Sequence, residues 1–251
     1  MHFQSVALSD RGLTREINED SAWVGSQIIA VADGLGGHAG GEVASAIVIN
    51  GLAKADKKEF TKEAVHDLVI EITTKANGEI AKKIKDSPKL KGMGTTLTAL
   101  LIRNNKVALL HVGDSRCYRL RGNTLEQLSN DHTVIQELLD QGAISEAEAA
   151  GHPQRSMLTQ ALRGDGDVTP VLQMYEIKKG DRYLLCSDGL SGVLTDKEIK
   201  VGLKKSDKDE AVKFLNDATY INGAPDNVTI LIADLSDTAT TSSILLGAAH
   251  E

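Results

Sequence analysis

Aromatic residues and long apolar runs are scarce in this chain, and each scarcity excludes a class of protein. Phe, Trp and Tyr make up 3% of the 251 residues, which leaves few rings on which nucleic-acid bases could stack. No apolar run approaches the ~18 to 20 residues that span a bilayer, and the opening residues MHFQ do not resemble a signal peptide. We therefore expect a cytoplasmic protein without a membrane partner.

The charge balance and the two cysteines exclude further classes of protein. The 35 Asp and Glu residues outnumber the 28 Lys and Arg residues, so the formal net charge is −7 and a nucleic-acid backbone would be repelled. Cys117 and Cys186 each lie in an apolar, strand-like run without a CxxC or CxxH neighbour. We interpret both as buried thiols, and we expect no nucleic-acid partner.

The rest of the composition is that of an ordinary globular protein. Hydrophobic residues account for 41% of the chain and charged residues for 25%, which is enough apolar material for a sizeable core. No repeat and no Pro/Gly/Ser-rich linker divides the sequence. We predict one domain over residues 1–235 and a flexible C-terminal tail over residues 236–251.

The hydrophobic pattern predicts the fold class. Apolar, β-branched runs predict strands at residues 27–32, 95–102, 107–112, 117–120, 183–186 and 228–235. The polar turn at 103–106 (RNNK) predicts an antiparallel hairpin, and helical spacing predicts two neighbouring helices at 42–53 and 61–85. This order of elements favours an α+β fold, a central antiparallel β-sandwich covered by helices.

Residues 131–155 have a helical pattern that differs from the strand-like runs on either side. A predicted helix at 134–140 is followed by Gly142, a short helical stretch at 145–150 and a Gly-His-Pro segment. We predict a small helical flap here. Such an insertion either faces a substrate or merely connects two strands, and the sequence leaves both interpretations open.

Acidic residues occur at five places where a predicted strand begins or ends. They are the segments NED at 18–20, ADG at 32–34, GDS at 113–115, SDG at 187–189 and PDN at 225–227. A single Asp-Gly is usually an ordinary turn, but carboxylates gathered at one sheet edge cannot all ionise at low cost unless cations lie between them. Oxygen ligands without His or Cys favour Mg²⁺ or Mn²⁺. Two such ions are typical of hydrolases that attack phosphorus.

These segments belong to a larger ordered set of motifs. The set comprises residues 14–20 (TREINED), 31–38 (VADGLGGH), 41–45 (GEVAS), 92–96 (GMGTT), 111–116 (HVGDSR), 158–162 (LTQAL), 186–190 (CSDGL) and 225–229 (PDNVT). In this order the chain resembles the metal-dependent protein phosphatases of the protein phosphatase 2C type, in a short bacterial form. The resemblance implies a β-sandwich flanked by helix pairs, with a binuclear metal site in a cleft at one end.

The resemblance also implies a role for each matching residue at the metal site. Asp33 would bridge two Mn²⁺ or Mg²⁺ ions, and the backbone carbonyl of Gly34 would bind one of them. Asp188 and Asp226 would bind the other ion. Asp114 resembles the residue that joins Asp188 in holding a third ion in bacterial relatives.

Three further residues match positions around the metals. Arg15 matches the family's phosphate-binding arginine, and the guanidinium fork can take two phosphoryl oxygens at once. Glu19 and Asp20 resemble the acidic pair that orients metal-bound waters, so we expect them in the outer shell of the site. Without the motif, Arg15 would be interpreted as a solvated surface charge.

The implied mechanism is hydrolysis of phosphoserine or phosphothreonine by a metal-bridged water. It needs no phosphoenzyme intermediate. Ser115 and Ser187 adjoin the aspartates, but neither has a base at a recognisable spacing, so we do not interpret them as nucleophiles.

The general acid is not determined by the sequence. Some family members place a histidine directly after the Asp-Gly pair, whereas this chain has Leu35 there and His38 three residues later. His38 could protonate the leaving group, a metal-bound water could do so, or His38 could simply bond the loop backbone. His111 and His132 are interpreted as structural.

The predicted function is a Mg²⁺- or Mn²⁺-dependent protein serine/threonine phosphatase that reverses the action of serine/threonine kinases. A regulatory binding module of the same fold is one alternative. So many costly carboxylates argue against that alternative, because a silent domain does not need them. A hydrolase of small phosphate esters is the other alternative, and it would use the same site.

Overall fold

Two antiparallel sheets lie face to face in the computed structural model, which describes residues 1–36, 40–56, 65–103, 105–149, 151–166, 168–238 and 242–250. The first sheet has the strand order β1-β12-β11-β8-β9. Its strands are β1 (His2–Asp10), β8 (Arg116–Arg121), β9 (Thr124–Gln127), β11 (Arg182–Cys186) and β12 (Val228–Ser236). The outer strand β1 pairs with β12 along its whole length, from His2 opposite Ser236 to Asp10 opposite Val228.

The second sheet has the order β10-β7-β6-β3-β2-β13. Its strands are β2 (Ser21–Val24), β3 (Ile28–Ala32), β6 (Leu97–Arg103), β7 (Lys106–Val112), β10 (Val171–Glu176) and β13 (Ile244–Gly247). A separate short pair, β4 (Gly34–Leu35) and β5 (Gly94–Thr95), lies beyond β3. The predicted hairpin is confirmed, because Arg103 pairs with Lys106 where β6 turns into β7.

Helices cover the outer face of each sheet. Against the second sheet pack α1 (Gly41–Asp56) and α2 (Val65–Asp86), followed by a 3-10 turn at Pro88–Leu90. Against the first sheet pack α5 (Asp188–Ser191), α6 (Asp196–Leu203) and α7 (Lys208–Ile221). The flap carries α3 (Val134–Asp140) and α4 (Glu146–Ala149). The predicted α+β sandwich with helical layers is therefore confirmed.

Strand β6 shows how the sequence builds these layers. Leu97 and Leu101 pack on the helix side of the sheet, whereas Leu100 and Ile102 pack between the two sheets. Successive side chains of a strand point to opposite faces. A strand that is apolar at nearly every position is thus buried on both sides.

Local signals set the start of the last two helices. Thr195 caps α6 through the backbone amide of Glu198, and the Glu198 side chain accepts in return from the Thr195 amide. This reciprocal pair is the capping box that a Thr-x-x-Glu sequence specifies. Asp207 caps α7 by accepting from the Glu210 amide. Both starts are therefore determined within a few residues of sequence.

The predicted flexible tail is wrong for the segment Ile244–Gly247. This segment forms β13 and pairs with β2, with Leu245 opposite Trp23 and Leu246 opposite Ala22. Leu245 packs on the helix side of the sheet and Leu246 packs between the sheets. Burial of alternate apolar side chains on both faces offsets the entropy that ordering the tail costs.

Several other expectations have a clear outcome. Cys117 and Cys186 are buried free thiols, as predicted. Residues 61–64 of the second predicted helix lie outside the described residues. Within the described ranges, no helix combines the length and the apolar character needed to cross a membrane. The expectation of a cytoplasmic protein stays a prediction.

Candidate functional site

Four aspartates stand at strand ends on one edge of the sandwich. Asp33 directly follows β3, and Asp114 comes two residues after β7, both in the second sheet. Asp188 comes two residues after β11, and Asp226 comes two residues before β12, both in the first sheet. The charges of Asp114, Asp188 and Asp226 all act on Asp33. The structure therefore brings together the aspartates that the sequence predicted for the metal centre.

Burial and mutual repulsion raise the pKa values of Asp33, Asp114 and Asp188. Burial, followed by the nearby charges of Asp20 and Asp188, raises the pKa of Asp33 well above its usual range. Burial and the charge of Asp226 raise the pKa of Asp188, against a hydrogen bond with the Asp33 carboxyl. Burial, helped by Asp188 and Asp131, raises the pKa of Asp114 to about 7. Each group would be stabilised by a cation or a proton beside it.

Asp20 lies deeper than these four residues. It is fully buried, and its Oδ2 accepts hydrogen bonds of 2.7 Å from both Ser187 Oγ and Thr229 Oγ1. Burial nevertheless raises the pKa of Asp20 to about 7. Its second oxygen, Oδ1, is buried and has no hydrogen-bond partner within the described part of the chain. Such an orphaned oxygen is costly unless a water, an ion or a proton completes it.

Arg15 reaches the acidic centre from a loop, residues 11–17, that we call the Arg15 loop. The Arg15 guanidinium donates a hydrogen bond of 2.7 Å to Asp226 Oδ2. The Arg15 side chain is 44% exposed, so one face of the fork remains open to the solvent. This placement suits a cation that holds an incoming anion.

Glu19 and Gly34 are held tightly beside the aspartates. Glu19 is 5% exposed, and its Oε1 accepts a hydrogen bond of 3.2 Å from the Gly41 amide. Burial and the charge of Glu42 raise the pKa of Glu19. A Cβ atom at Gly34 would lie 2.5 Å from the backbone of both Glu19 and Gly41. Only glycine fits where these segments cross.

Both serines beside the aspartates are buried and already bonded. Ser115 Oγ pairs with Thr96 Oγ1 at 2.7 Å, and Ser187 Oγ donates to Asp20 and accepts from the Thr229 amide. Neither side chain is exposed to the solvent. Their geometry is structural, as the sequence suggested.

Of the three histidines considered from the sequence, His111 and His132 can be placed in the structure. His38 lies outside the described residues. His111 is fully buried. Its Nε2 lies 3.0 Å from the Asn130 carbonyl. Burial, with the neighbouring His132 as a second cause, lowers its pKa to about 3. His132 Nδ1 accepts from the Gly113 amide. His132 thus holds the backbone beside Asp114, and His111 holds the backbone beside Asp131, in agreement with a structural role for both.

The donor set fits divalent cations, although the described side chains do not form a finished coordination shell. Within the described ranges, no three His, Cys, Asp or Glu side chains are arranged as a metal-ligand group. Asp226 is bonded to Arg15, and Asp33 is bonded to Asp188. The orphaned Asp20 oxygen, the raised pKa values and the oxygen-only chemistry all fit hard divalent ions.

Comparison with known proteins decides the family. The model of the family "Protein phosphatase 2C" matches residues 16–224. This chain belongs to the protein phosphatase 2C family. The resemblance inferred from the motifs is thereby confirmed.

Relatives of this chain include bacterial serine/threonine phosphatases. Over 245 residues the chain is 46% identical to serine/threonine protein phosphatase PstP of Mycobacterium tuberculosis. The match covers 97% of this chain but only 47% of that protein, so the chain spans about half the length of this relative. Over 236 residues it is 36% identical to serine/threonine phosphatase stp of Listeria welshimeri, covering 90% of this chain and 93% of that one.

A solved structure agrees in detail with this fold. The crystal structure of the catalytic domain of serine/threonine protein phosphatase PstP in complex with two manganese ions superimposes with a TM-score of 0.86. The two sequences are 43% identical, and the match covers 94% of this chain and 99% of that one. The sandwich is therefore the phosphatase 2C fold.

The flap borders the cleft beside the acidic centre. A cleft of about 650 Å³ is lined on one side by Asp114, Asp188 and Asp226 and on the other by flap residues that include Leu139 and Arg155. Of the two interpretations that the sequence left open, the position favours a flap that faces the site. Its effect on substrates stays a prediction.

Sequence reasoning missed how the site is braced. Arg116 and Asp131 form an ion pair of 2.7 Å between strand β8 and the first residue of the flap. Asn227 entered the sequence analysis only as part of a motif, but in the structure both the oxygen and the nitrogen of its side-chain amide form hydrogen bonds at the site. The partners of Asn227 lie more than 200 positions away in sequence, so no local pattern identifies them.

Proposed function

We propose that this chain is a metal-dependent protein serine/threonine phosphatase. The observation that carries the proposal is the convergence of Asp33, Asp114, Asp188 and Asp226 at one edge of the sandwich, with the half-exposed Arg15 side chain bonded to Asp226. An acidic centre needs cations, and the arginine supplies an anion-binding group next to it. The names of the bacterial relatives support the same activity.

The cofactors are Mn²⁺ or Mg²⁺. Asp33, Asp188, Asp226 and the Gly34 carbonyl would hold two ions, and Asp114 with Asp188 would hold a third. Bound there, divalent ions supply positive charge that neutralises phosphoryl oxygens and lowers the pKa of water. The manganese ions of the PstP catalytic domain support this assignment.

The chain's own groups then divide the work. Arg15 binds the phosphoryl oxygens of the substrate, because its guanidinium lies beside Asp226 of the acidic centre and its side chain is 44% exposed to an incoming anion. Glu19 and the free oxygen of Asp20 accept hydrogen bonds from waters in the centre and orient them. Ser115 and Ser187 are buried and hydrogen-bonded, so neither serves as a nucleophile, and attack by water needs no phosphoenzyme. His38 and a metal-bound water remain the two predicted candidates for the general acid.

The substrates are phosphoserine and phosphothreonine proteins made by serine/threonine kinases. An open cleft of about 650 Å³ accommodates a peptide segment around the phosphoresidue. The net charge of −7 disfavours nucleic acid as a partner. Hydrolysis of small phosphate esters alone is the alternative activity of the same site, and substrate comparison separates the two.

The experiment is phosphate release from a phosphothreonine peptide and from an aryl phosphate, with Mn²⁺, with Mg²⁺ and with chelator. Turnover should require the metal, should be lost in Asp188→Ala, and should favour the peptide. Folded wild-type protein without turnover under any metal would indicate a silent binding module instead. Efficient cleavage of the aryl phosphate with none of the peptide would indicate a small-ester hydrolase.

A further inference from the structure

Asn227 fastens both ends of the Arg15 loop. Its Nδ2 group donates one hydrogen bond of 3.0 Å to the carbonyl of Arg11 and another of 2.9 Å to the carbonyl of Ile17. An amide nitrogen carries two hydrogens, so each end of the loop takes one. One side chain therefore closes the loop that presents Arg15.

The other polar atoms of Asn227 extend this connection into the acidic centre. Its Oδ1 accepts a hydrogen bond of 2.9 Å from the Glu19 amide. Its own backbone amide donates to Asp226 Oδ1 at 2.8 Å. Asn227 is 5% exposed, so losing any of these partners would leave a buried polar group unpaired. The same residue thus bonds the loop, Glu19 and the carboxylate that Arg15 contacts.

The loop offers few other restraints near Arg15. Leu13, Arg15 and Ile17 are exposed, and the Leu13 side chain packs so little that the residue is 64% exposed. The backbone approaches the centre at Gly12, where a Cβ atom would lie 2.1 Å from the Asp226 carbonyl. The Leu13 amide donates to the Ala224 carbonyl. These contacts hold the N-terminal side of the loop, whereas Asn227 also holds the C-terminal side.

We propose that Asn227 is a positioning residue that holds the Arg15 loop over Asp226 so that the guanidinium meets the substrate phosphoryl group. The inference rests on the proposed phosphatase function. Asn is chemically required there because two carbonyls need donors and one amide needs an acceptor. Aspartate has the same shape but would direct a carboxylate oxygen at the two carbonyls.

The kinetic test is a double-mutant cycle on the full chain with a phosphothreonine peptide and saturating Mn²⁺. Asn227→Ala should raise KM about tenfold and change kcat less than about threefold, because a charge-assisted phosphate contact is weakened. In an Arg15→Ala background, the same substitution should change KM by less than about twofold. Asn227→Ser retains one donor and should give an intermediate KM.

Amide hydrogen exchange tests the contact independently of turnover. Exchange at Leu13 and Glu19 should rise in Asn227→Ala and less in Asn227→Ser, with metal and without it. The matched control is Asn77→Ala, because Asn77 accepts from the Gly164 amide at 2.7 Å and so also fastens a loop. That variant should raise exchange at Gly164 and leave KM unchanged.

Three results would overturn the proposal. The first is unchanged amide exchange at Glu19 in Asn227→Ala. The second is a rise of KM on Asn227→Ala that is as large in the Arg15→Ala background as in the wild type. The third is a fall in kcat together with a higher Mn²⁺ requirement, because that result would place the effect of the substitution on Asp226. If the wild type shows no turnover with any metal, the phosphatase assignment fails by itself. Exchange at Leu13 and Glu19 then decides alone whether Asn227 holds the loop.

Discussion

The guanidinium of Arg116 holds the carboxylate of Asp131 through hydrogen bonds of 3.0, 3.0 and 2.7 Å. Arg116 lies two residues after Asp114, and Asp131 is the first residue of the flap. The Asp131 side chain is 9% exposed. This ion pair therefore joins the acidic centre to the element that borders the cleft.

Breaking the pair should destabilise the protein. We expect Asp131→Ala to lower the free energy of unfolding by about 2 to 3 kcal/mol, because the charge of Arg116 is left without its partner. This loss of unfolding free energy is at or below the low end of the range expected for breaking a fully buried ion pair, because the Arg116 side chain is 28% exposed. Urea unfolding measures the change. Lys213→Ala removes an exposed pair with Asp217 and should cost less than about 0.5 kcal/mol; equal costs for both variants would contradict the prediction.

Gly34 should not tolerate a methyl group. In Gly34→Ala the new Cβ would lie 2.5 Å from backbone atoms of Glu19 and Gly41, so one segment must shift, at about 1 to 3 kcal/mol of unfolding free energy. Gly51→Ala is the matched control, because nothing lies within 4 Å of a Cβ there. It sits inside helix α1 and should gain about 0.5 to 1 kcal/mol. Thermal unfolding that ranks the two variants in the opposite order would refute the packing argument.

His111 should make the protein less stable in acid. Burial lowers its pKa from 6.5 to about 3, so between these values the unfolded state binds a proton that the folded state does not. The contribution of His111 is complete above pH 6.5 and is lost as the pH falls toward 3, by up to about 1.4 kcal/mol per pH unit.

The comparison with His111→Asn isolates this contribution. The raised pKa values of Asp20 and Asp114 act in the opposite direction, so the wild-type pH profile alone is not diagnostic. Urea unfolding from pH 7 to pH 4.5 should show the stability of the wild type falling relative to that of the variant. Parallel curves would mean that His111 binds protons equally in the folded and unfolded states, which would contradict the prediction.

The flap should influence which phosphopeptides are cleaved. Leu139 and Arg155 line the cleft from the flap side, so replacing both with alanine should change kcat/KM ratios between peptides by about threefold or more. An aryl phosphate, too small to reach them, should be cleaved at nearly the wild-type rate. Glu146→Ala, on the exposed helix α4, is the control and should alter neither. Equal loss on peptides and aryl phosphate would assign the flap a purely structural role.

Apolar periodicity predicted the strands that are buried on both faces, such as β6 and β7, and the helices α1 and α3. It did not predict β1, which carries Gln4, Ser5 and Ser9 among its apolar residues and becomes a strand by pairing with β12. It also failed for β13, because four residues become a strand only beside β2. Edge strands depend on a distant partner rather than on a long apolar run.

For the site, the sequence by itself predicted which acidic groups come together at one edge of the fold. Asp-Gly pairs at Asp33 and Asp188, the Gly-Asp-Ser segment at Asp114 and the Asp-Asn pair at Asp226 all lie at strand ends, and residues next to strand ends meet at an edge of the sheet. Tertiary structure alone decided how these groups are held. The bond from Arg15 to Asp226 spans 211 positions, and the two bonds from Asn227 to the Arg15 loop span 216 and 210. Hydrogen bonds of this range form only when β1 pairs with β12 and brings Asp10 opposite Val228, because side-chain direction and burial are properties of the folded chain.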